Sequence, residues 1–349
     1  MNYILGIDTT FHETAVALID GAGKVILDKR MHIDYDDENA DKFFSLHSKN
    51  LHHILGPIIK NFINKVFLIA VSNKGGMFHS LPVGVNAANI LSSIYKKKLI
   101  GISHEAAHLY SNWIGRKGNE FQFPAISLNI SGAHGNIWLI RDSSRIQKIK
   151  EIVWHKYPDK FPGLGAFFHC FLVYVGLPPK KRGEGGGLFS DLASKGKIKE
   201  IEEFRDIKLE DTSREIFIKN LDPIENIIDL QKRDYQEICN LAATLSDRLF
   251  TLLAEKTIDI AVSCGAKEIH LCGGVGHDPV LQKKMRASAS RYGLDFKNPL
   301  KPKYYFDNAV MVALAGYCQR KFCNPQNVLD VQTDKWHFRN YINNNFGLS

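Results

Sequence analysis

The sequence predicts an α/β protein built as two similar lobes with a cleft between them. Three observations carry this. A meander of strand, polar loop, strand, tight turn and strand opens the chain at Tyr3 and recurs at Ala125, about 122 residues later. Each copy is followed by segments of helical periodicity. Glycine-bearing turns stand at the ends of several of the predicted strands.

Tyr3 to Asp8 reads as a buried strand that ends on an acid and two threonines. Thr14 to Ile19 is a second strand, Asp20 to Gly23 a turn of residues that tolerate positive φ, and Lys24 to Asp28 the third strand. A helix is expected over Phe43 to Phe62, a strand over Val66 to Ser72, a loop at Asn73 to Met77, a helix over Val85 to Lys97, and a strand over Leu99 to Ile102 leading into His104. The second copy places strands at Ala125 to Ile130, Asn136 to Ile140 and Arg145 to Ile149. Tyr235 to Cys264 has apolar residues at helical spacing, Glu268 to Cys272 is a strand running into Gly273-Gly274-Val275-Gly276, and Asn308 to Arg320 is a last helix. The expected division is an N-terminal lobe over 1–120, a C-terminal lobe over 121–322 with a charged inserted excursion around 197–233, and a polar tail over 323–349.

The length of 349 residues suits two domains of about 150 residues. Hydrophobic residues at 44% and charged residues at 23% describe an ordinary soluble chain and exclude a disordered, collagenous or coiled-coil protein. The longest apolar stretch, Ala166 to Pro178, is 13 residues long and contains His169, too short to span a bilayer. The opening residues lack a basic n-region, so no secretory leader is expected. Six cysteines without a CxxC pair read as reduced cytoplasmic thiols rather than a disulfide frame or zinc knuckle. The net charge of +8 permits a polyanionic partner such as RNA, and a lysine-rich proteome explains it equally well.

Four turns offer backbone amides to phosphate: Asp8 to Glu13, Ser131 to Gly135, Gly183 to Gly187 and Gly273 to Gly276. Glycine allows close approach of an anion to the backbone, and a helix N-terminus adds unpaired N–H groups. Four such turns in a duplicated chain favour a nucleotide over ordinary turn-making. Neither GxxxxGK[ST] nor GxGxxG is present, which excludes a P-loop and a dinucleotide fingerprint. His104 and His108 are four apart, so on a helix both imidazoles project from one face and can share a metal; packing or capping explains the pair as well. HExxH is literally present with Glu105 as a base, but the strand–helix pattern and the glycine turns favour nucleotide chemistry over a zinc protease. Asp307, just before the last helix, is the candidate third ligand, with a helix N-cap as its other reading.

These segments resemble the TsaD/Gcp family of tRNA threonylcarbamoyladenosine synthases, once described as glycoproteases. The family's GIETSCDET resembles Gly6 to Thr14, and its HHxxxxxxLI helix resembles Leu46 to Leu55. GPGLxGSLxVG resembles Lys74 to Gly84, HxEGH resembles His104 to His108, and SGGHT resembles Ser131 to Gly135. PGGPxLSxLAxxG resembles Glu184 to Gly196, GGVxxN resembles Gly273 to Asp278, and TDNxxMxALAG resembles Phe306 to Gly316.

The resemblance implies an actin/Hsp70-like (ASKHA) duplicated two-lobe α/β fold with an interlobe nucleotide cleft. It implies one divalent metal, zinc or iron, on His104, His108 and Asp307. It implies an adenine nucleotide (ATP, AMP or an acyl-adenylate) held by Ser131, Gly132, Ala133, His134, His169, Gly185, Gly186, Gly274 and Asp278, with Glu13 near its phosphates and Glu13 and His134 in catalytic roles. The implied reaction transfers a threonylcarbamoyl group from its adenylate to N6 of adenosine 37 of tRNA. The implied partners are tRNA, a small paralogous TsaB-like subunit and a TsaC-like donor-making enzyme, with a homo- or heterodimer possible and no membrane. The family's GEAFDK stands here as Gly165-Ala166-Phe167-Phe168-His169-Cys170, without its Glu, Asp and Lys; the Glu of HxEGH is Ala106 and the Asn of GGVxxN is Asp278. Two further readings follow from these departures: a carbamoyltransferase that uses a carbamoyl-adenylate with another acceptor, and a non-catalytic paralogue acting as a partner subunit.

Overall fold

The computed structural model describes residues 2–33, 42–77, 80–132, 134–154, 163–179, 185–221 and 233–320. In chain order these form β1 (Tyr3–Asp8), β2 (Glu13–Asp20), β3 (Val25–His32), α1 (Phe43–Phe62), β4 (Val66–Lys74), α2 (Leu81–Tyr95), β5 (Lys98–Ser103) and α3 (His104–Leu109). There follow β6 (Ala125–Ile130), β7 (Gly135–Ile140), β8 (Ile146–Trp154), α4 (Leu164–Tyr174), α5 (Gly185–Lys195), α6 (Glu202–Arg205), β9 (Lys208–Asp211) and β10 (Glu215–Lys219). The chain ends with α7 (Tyr235–Ser263), β11 (Glu268–Cys272), α8 (Pro279–Arg291), β12 (Asp295–Lys297) and α9 (Ala309–Gln319). No helix among the described residues is long and apolar enough to cross a membrane.

The chain divides into two compact units: residues up to Phe121 with Asp142–Ile146 and the chain from Asn298, and Gln122–Arg141 with Gln147–Lys297. In the first unit the strand order is β3-β2-β1-β4-β5. β2 runs antiparallel to β1, whereas β4 is parallel to β1 and β5 parallel to β4. In the second unit the order β8-β7-β6-β11-β12 repeats this arrangement, with β7 antiparallel to β6, β11 parallel to β6 and β12 parallel to β11. The meander repeat expected from the sequence is therefore a repeat of sheet topology.

Every residue of β1 is buried, because helices cover both faces of the sheet. On one face Leu5, Ile7, Val16 and Leu18 pack with Leu51, Ile54 and Ile58 of α1 and Val83, Ala88 and Leu91 of α2. On the other, α9 lies against β1 and β4. Its approach is close: a Cβ on Gly6 would stand 2.9 Å from Ala313 Cβ, and one on Gly316 would stand 2.5 Å from Ala70 Cβ. The small residues Gly6, Ala70, Ala313 and Gly316 thus determine where α9 sits. They also explain a departure from expectation, since the segment from 298 belongs to the first unit and not to a second lobe reaching 322.

The second unit packs Phe167, Phe168 and Phe171 of α4 with Ile126, Leu128 and Ile130 of β6 and with Leu245, Leu249 and Phe250 of α7. Phe168 and Phe189 stack with centroids 4.0 Å apart. The charged stretch expected as an excursion contributes β9 and β10 to the sheet, β10 pairing in parallel with β8 and antiparallel with β9. Burial of Ile216 and Ile218 on alternate positions of β10 accounts for that pairing. Residues 222–232 of the stretch, and the expected tail from 323, lie outside the described residues. Elsewhere the differences are at boundaries. β3 continues to His32, and α2 starts at Leu81 because Pro82 is acceptable in a first helical turn.

Gly316→Ala would force α9 off the sheet and lower stability by about 1–3 kcal/mol, as overpacking does; denaturant melts measure this. His47 of α1 is fully buried with Nδ1 2.9 Å from Thr14 Oγ1. Burial pushes its pKa down to about 4, against smaller upward pulls from the Phe11 backbone and Asp8. The unfolded chain takes up a proton on this ring near pH 6.5 and the folded chain does not, so the stability present above pH 6.5 is lost as pH falls toward 4, by about 3 kcal/mol in full. Urea melts at pH 7 and pH 5 should show this loss in the wild type and a flatter dependence in His47→Gln.

Candidate metal centre

Leu99, Ile100 and Ile102 are buried on β5, and the chain passes from Ser103 directly into the short helix α3. The i,i+4 spacing within α3 puts His104 and His108 on one face. Asp307 arrives from the turn before α9. It is not the N-cap of that helix: Asn308 Oδ1 accepts from Met311 N at 2.9 Å and fills that role. Arg30 of β3 steadies the turn, donating from Nη1 to the carbonyls of Lys303 at 2.8 Å and Asp307 at 3.4 Å. Arg30 is itself paired with Asp28 at 3.2 Å.

His104 Nε2 and His108 Nε2 are 3.3 Å apart. Asp307 Oδ1 is 3.3 Å from each of them. Metal–ligand bonds of about 2.1 Å at tetrahedral angles place donor atoms about 3.4 Å apart, so this triangle has the size of one face of a metal polyhedron. Both rings are buried. Burial alone would lift the Asp307 carboxyl, but the two imidazoles hold it well below the usual carboxylate range. Burial alone would lower His104, but the charges of Asp307 and Asp8 hold it well above the usual imidazole range. Two nitrogens and a carboxylate brought together in this way can share a proton or a metal cation, and as a donor set they would suit zinc, iron or manganese. Glu105 of the HExxH string contributes no donor to this set.

The other imidazole nitrogen of His104 faces inward, with Nδ1 3.0 Å from Thr10 Oγ1 and 3.4 Å from Asp8 Oδ2. The sequence marked Asp8 only as a strand end in a phosphate-type turn. Asp8 and His104 are distant in the chain and meet only through the sheet, so no spacing signals the contact. Glu13 opens β2 and pairs through Oε1 with His32 Nδ1 at 2.9 Å. Burial pushes its carboxyl upward, His32 opposes this, and Asp307 adds to it. His32 was not expected at the site; it lies beyond the predicted end of β3.

The second unit holds the residues expected at the nucleotide. Ser131 N donates to His134 O at 2.7 Å and His134 N donates to Ser131 Oγ at 3.1 Å, closing a turn at the end of β6. Ala133, inside that turn, lies outside the described residues. Gly132 O accepts from Ala166 N at 3.0 Å, and a Cβ on Gly165 would stand 2.6 Å from Gly132 Cα. His169 backs onto Gly185, where a Cβ would stand 3.0 Å from its Cα. Gly185 and Gly186 open the helix α5 rather than forming a free turn; Gly183 and Glu184 lie outside the described residues. Gly273 adopts φ 84°, and a Cβ there would stand 2.7 Å from Asn129 Oδ1, so Gly274 follows a residue pressed onto the end of β6. Asp278 is occupied as an N-cap, its Oδ1 accepting from Val280 N at 2.8 Å and Leu281 N at 3.3 Å. Asp278→Ala should therefore cost about 1 kcal/mol in a denaturant melt while Asp278→Asn restores the cap.

The family model for "tRNA N6-adenosine threonylcarbamoyltransferase" matches residues 45–314. The protein of that name from Syntrophomonas wolfei is 27% identical over 321 residues, covering 89% of this chain and 90% of the relative. The one from Fervidobacterium nodosum is 28% identical over 326 residues, covering 90% and 92%. Among solved structures, full-length HypF in a phosphate- and nucleotide-bound form superposes with a TM-score of 0.63 at 13% identity, over 92% of this chain and 46% of HypF. HypF of T. kodakarensis superposes with a TM-score of 0.61 at 14% identity, over 94% and 49%. The chain thus spans about half the length of the HypF structures, and that likeness concerns the fold, which is of the actin-like type. By the match over residues 45–314, the chain belongs to the TsaD family of tRNA N6-adenosine threonylcarbamoyltransferases.

Proposed function

We propose that this protein transfers a threonylcarbamoyl group from threonylcarbamoyl-adenylate to N6 of adenosine 37 of tRNA, using one divalent metal. The observation that carries this is the convergence of His104, His108 and Asp307 on one point, at 3.3 Å separations, in a chain of this family. When bound, the cation supplies a Lewis acid for the carbamoyl carbonyl. The chain's own residues do the rest. The turn Ser131–His134, with Gly185, Gly186 and Gly274, grips the adenylate, and the N-terminal end of α5 favours the negative charge of departing AMP. The N6–carbon bond forms as the carbon–oxygen bond to phosphate breaks, and Glu13, paired with His32, receives the amine's proton. His134 and His169 border the adenylate, with His134 the second candidate for proton handling. The donor comes from a separate adenylate-forming enzyme, and a small paralogous subunit is the expected dimer partner in the cytoplasm.

One observation favours a second reading, the same chemistry on a different acceptor. Ala166, His169 and Cys170, which replace the family's Glu, Asp and Lys, lie together with Gly165 on the half-buried face of α4, and that face abuts Gly132 and Gly185. The changes are thus concentrated where the donor would be read.

Reconstitution with the donor-making enzyme, threonine, bicarbonate, ATP and unmodified tRNA should yield the modified nucleoside. His108→Ala, folded by circular dichroism, should lose its metal and about 100-fold or more of the activity. AMP release with small alcohols or amines but not with tRNA would move the assignment to the second reading. Wild-type activity in His108→Ala would remove the metal from the mechanism.

A further inference from the structure

Asp8 is fully buried, and neither of its carboxylate oxygens has a hydrogen-bond partner. A buried carboxylate left this way is costly unless a positive charge compensates it. Oδ2 lies 3.4 Å from His104 Nδ1. The other imidazole whose field reaches Asp8 is His47, which burial holds neutral down to a pKa of about 4. Compensation therefore comes through His104, whose opposite nitrogen points at His108 and Asp307.

We infer that Asp8 is the positioning residue of the metal centre: behind His104, and beside the Thr10 hydroxyl, it holds that ring with Nδ1–H inward and the Nε2 lone pair on the metal, and it supplies the second negative charge that matches the site to a dication. The inference rests on the metal centre proposed above. Charge balance supports it. Two neutral imidazoles, Asp307 and Asp8 total two negative charges, which a divalent cation would cancel at a site whose two imidazoles and Asp8 are buried. A carboxylate facing the far nitrogen of a ligating histidine favours the tautomer protonated on that nitrogen and raises the basicity of the ring. Thr10 Oγ1, at 3.0 Å, is nearer to Nδ1 but carries no charge, so it can orient the ring without balancing the metal.

The test is competition of the intact protein against a chelator for zinc. Asp8→Asn keeps the shape and removes the charge; its zinc affinity should fall about 10–100-fold, the usual loss for an outer-shell partner. Thr10→Val should lose less. An Asp8→Asn protein that binds zinc as the wild type does, while His108→Ala does not, overturns the role of Asp8 and leaves the metal centre intact. A wild-type chain that takes up no zinc, iron or manganese removes the metal centre and this inference with it. Should Asp8→Asn fail to fold, the 15N shifts of His104 in the zinc-loaded wild type decide. A protonated Nδ1 with the metal on Nε2 is expected, and the opposite tautomer overturns the assignment.

Discussion

A half-buried carboxylate and two buried imidazole nitrogens held within 3.3 Å of one another form the constraint on which the first unit depends. Three such groups stay at that distance only if the framework holds them there, whether a proton or a metal cation lies among them. It does so by assembling the site from elements whose positions are set elsewhere. β5 is the edge of a parallel run whose register is fixed by β4, and α3 continues from it without a loop. α9 sits where Gly6 and Gly316 allow it to touch the sheet. Arg30 then ties the turn carrying Asp307 to β3. The placement of one metal ligand is thus a consequence of side chains that are missing, since a methyl group at either glycine would displace the helix that carries it.

The two units share a strand order but put different chemistry at the ends of equivalent strands. β1 ends at Asp8 and is followed by Thr9 and Thr10, and the Asp8 carboxylate and Thr10 hydroxyl turn toward His104 of α3. β6 ends in Ile130-Ser131-Gly132, where hydroxyl and glycine close a tight turn against the start of α4. An acid beside imidazoles suits a cation, whereas small residues let a ligand approach the backbone closely. Duplication supplied one scaffold twice, and the residue types at the strand ends divided the labour.

Most of the scaffold was legible because its signals are local. Alternation marked β1, β2, β6 and β11, and helical spacing marked α1 and α7 nearly to the residue. The i,i+4 histidines were legible for the same reason. Long-range facts were not. No local pattern could say that α9, late in the chain, packs with the first unit, because its apolar sequence fits any core. Nor could it say that Asn308 rather than Asp307 caps α9, since the two stand side by side and both are good caps. Asp8, Arg30 and His32 became part of the site only through strand pairing. β9 and β10 were hidden in a charged stretch because only two isoleucines of β10 are fully buried and the other positions are half-buried or exposed.

The helix α4 shows why fold and specificity could part company in this chain. Its place is fixed by Leu164, Phe167, Phe168, Phe171 and Leu172, all buried in the core of the second unit. Ala166, His169 and Cys170 occupy the other face and are only partly buried. Substitutions at Ala166 and His169 leave the stacking of Phe168 on Phe189 and the edge contact of Phe167 with Trp154 in place, while Cys170 still packs against the core. An acid, an acid and a lysine can therefore give way to alanine, histidine and cysteine without moving the helix. What changes is the polarity presented to the Ser131–Gly132 turn and to Gly185, and hence the group that can sit there. His104, His108 and Asp307 have no such latitude: both imidazoles are buried and each of the three stands 3.3 Å from the other two, so replacing one strips its neighbours of a partner that packing cannot supply.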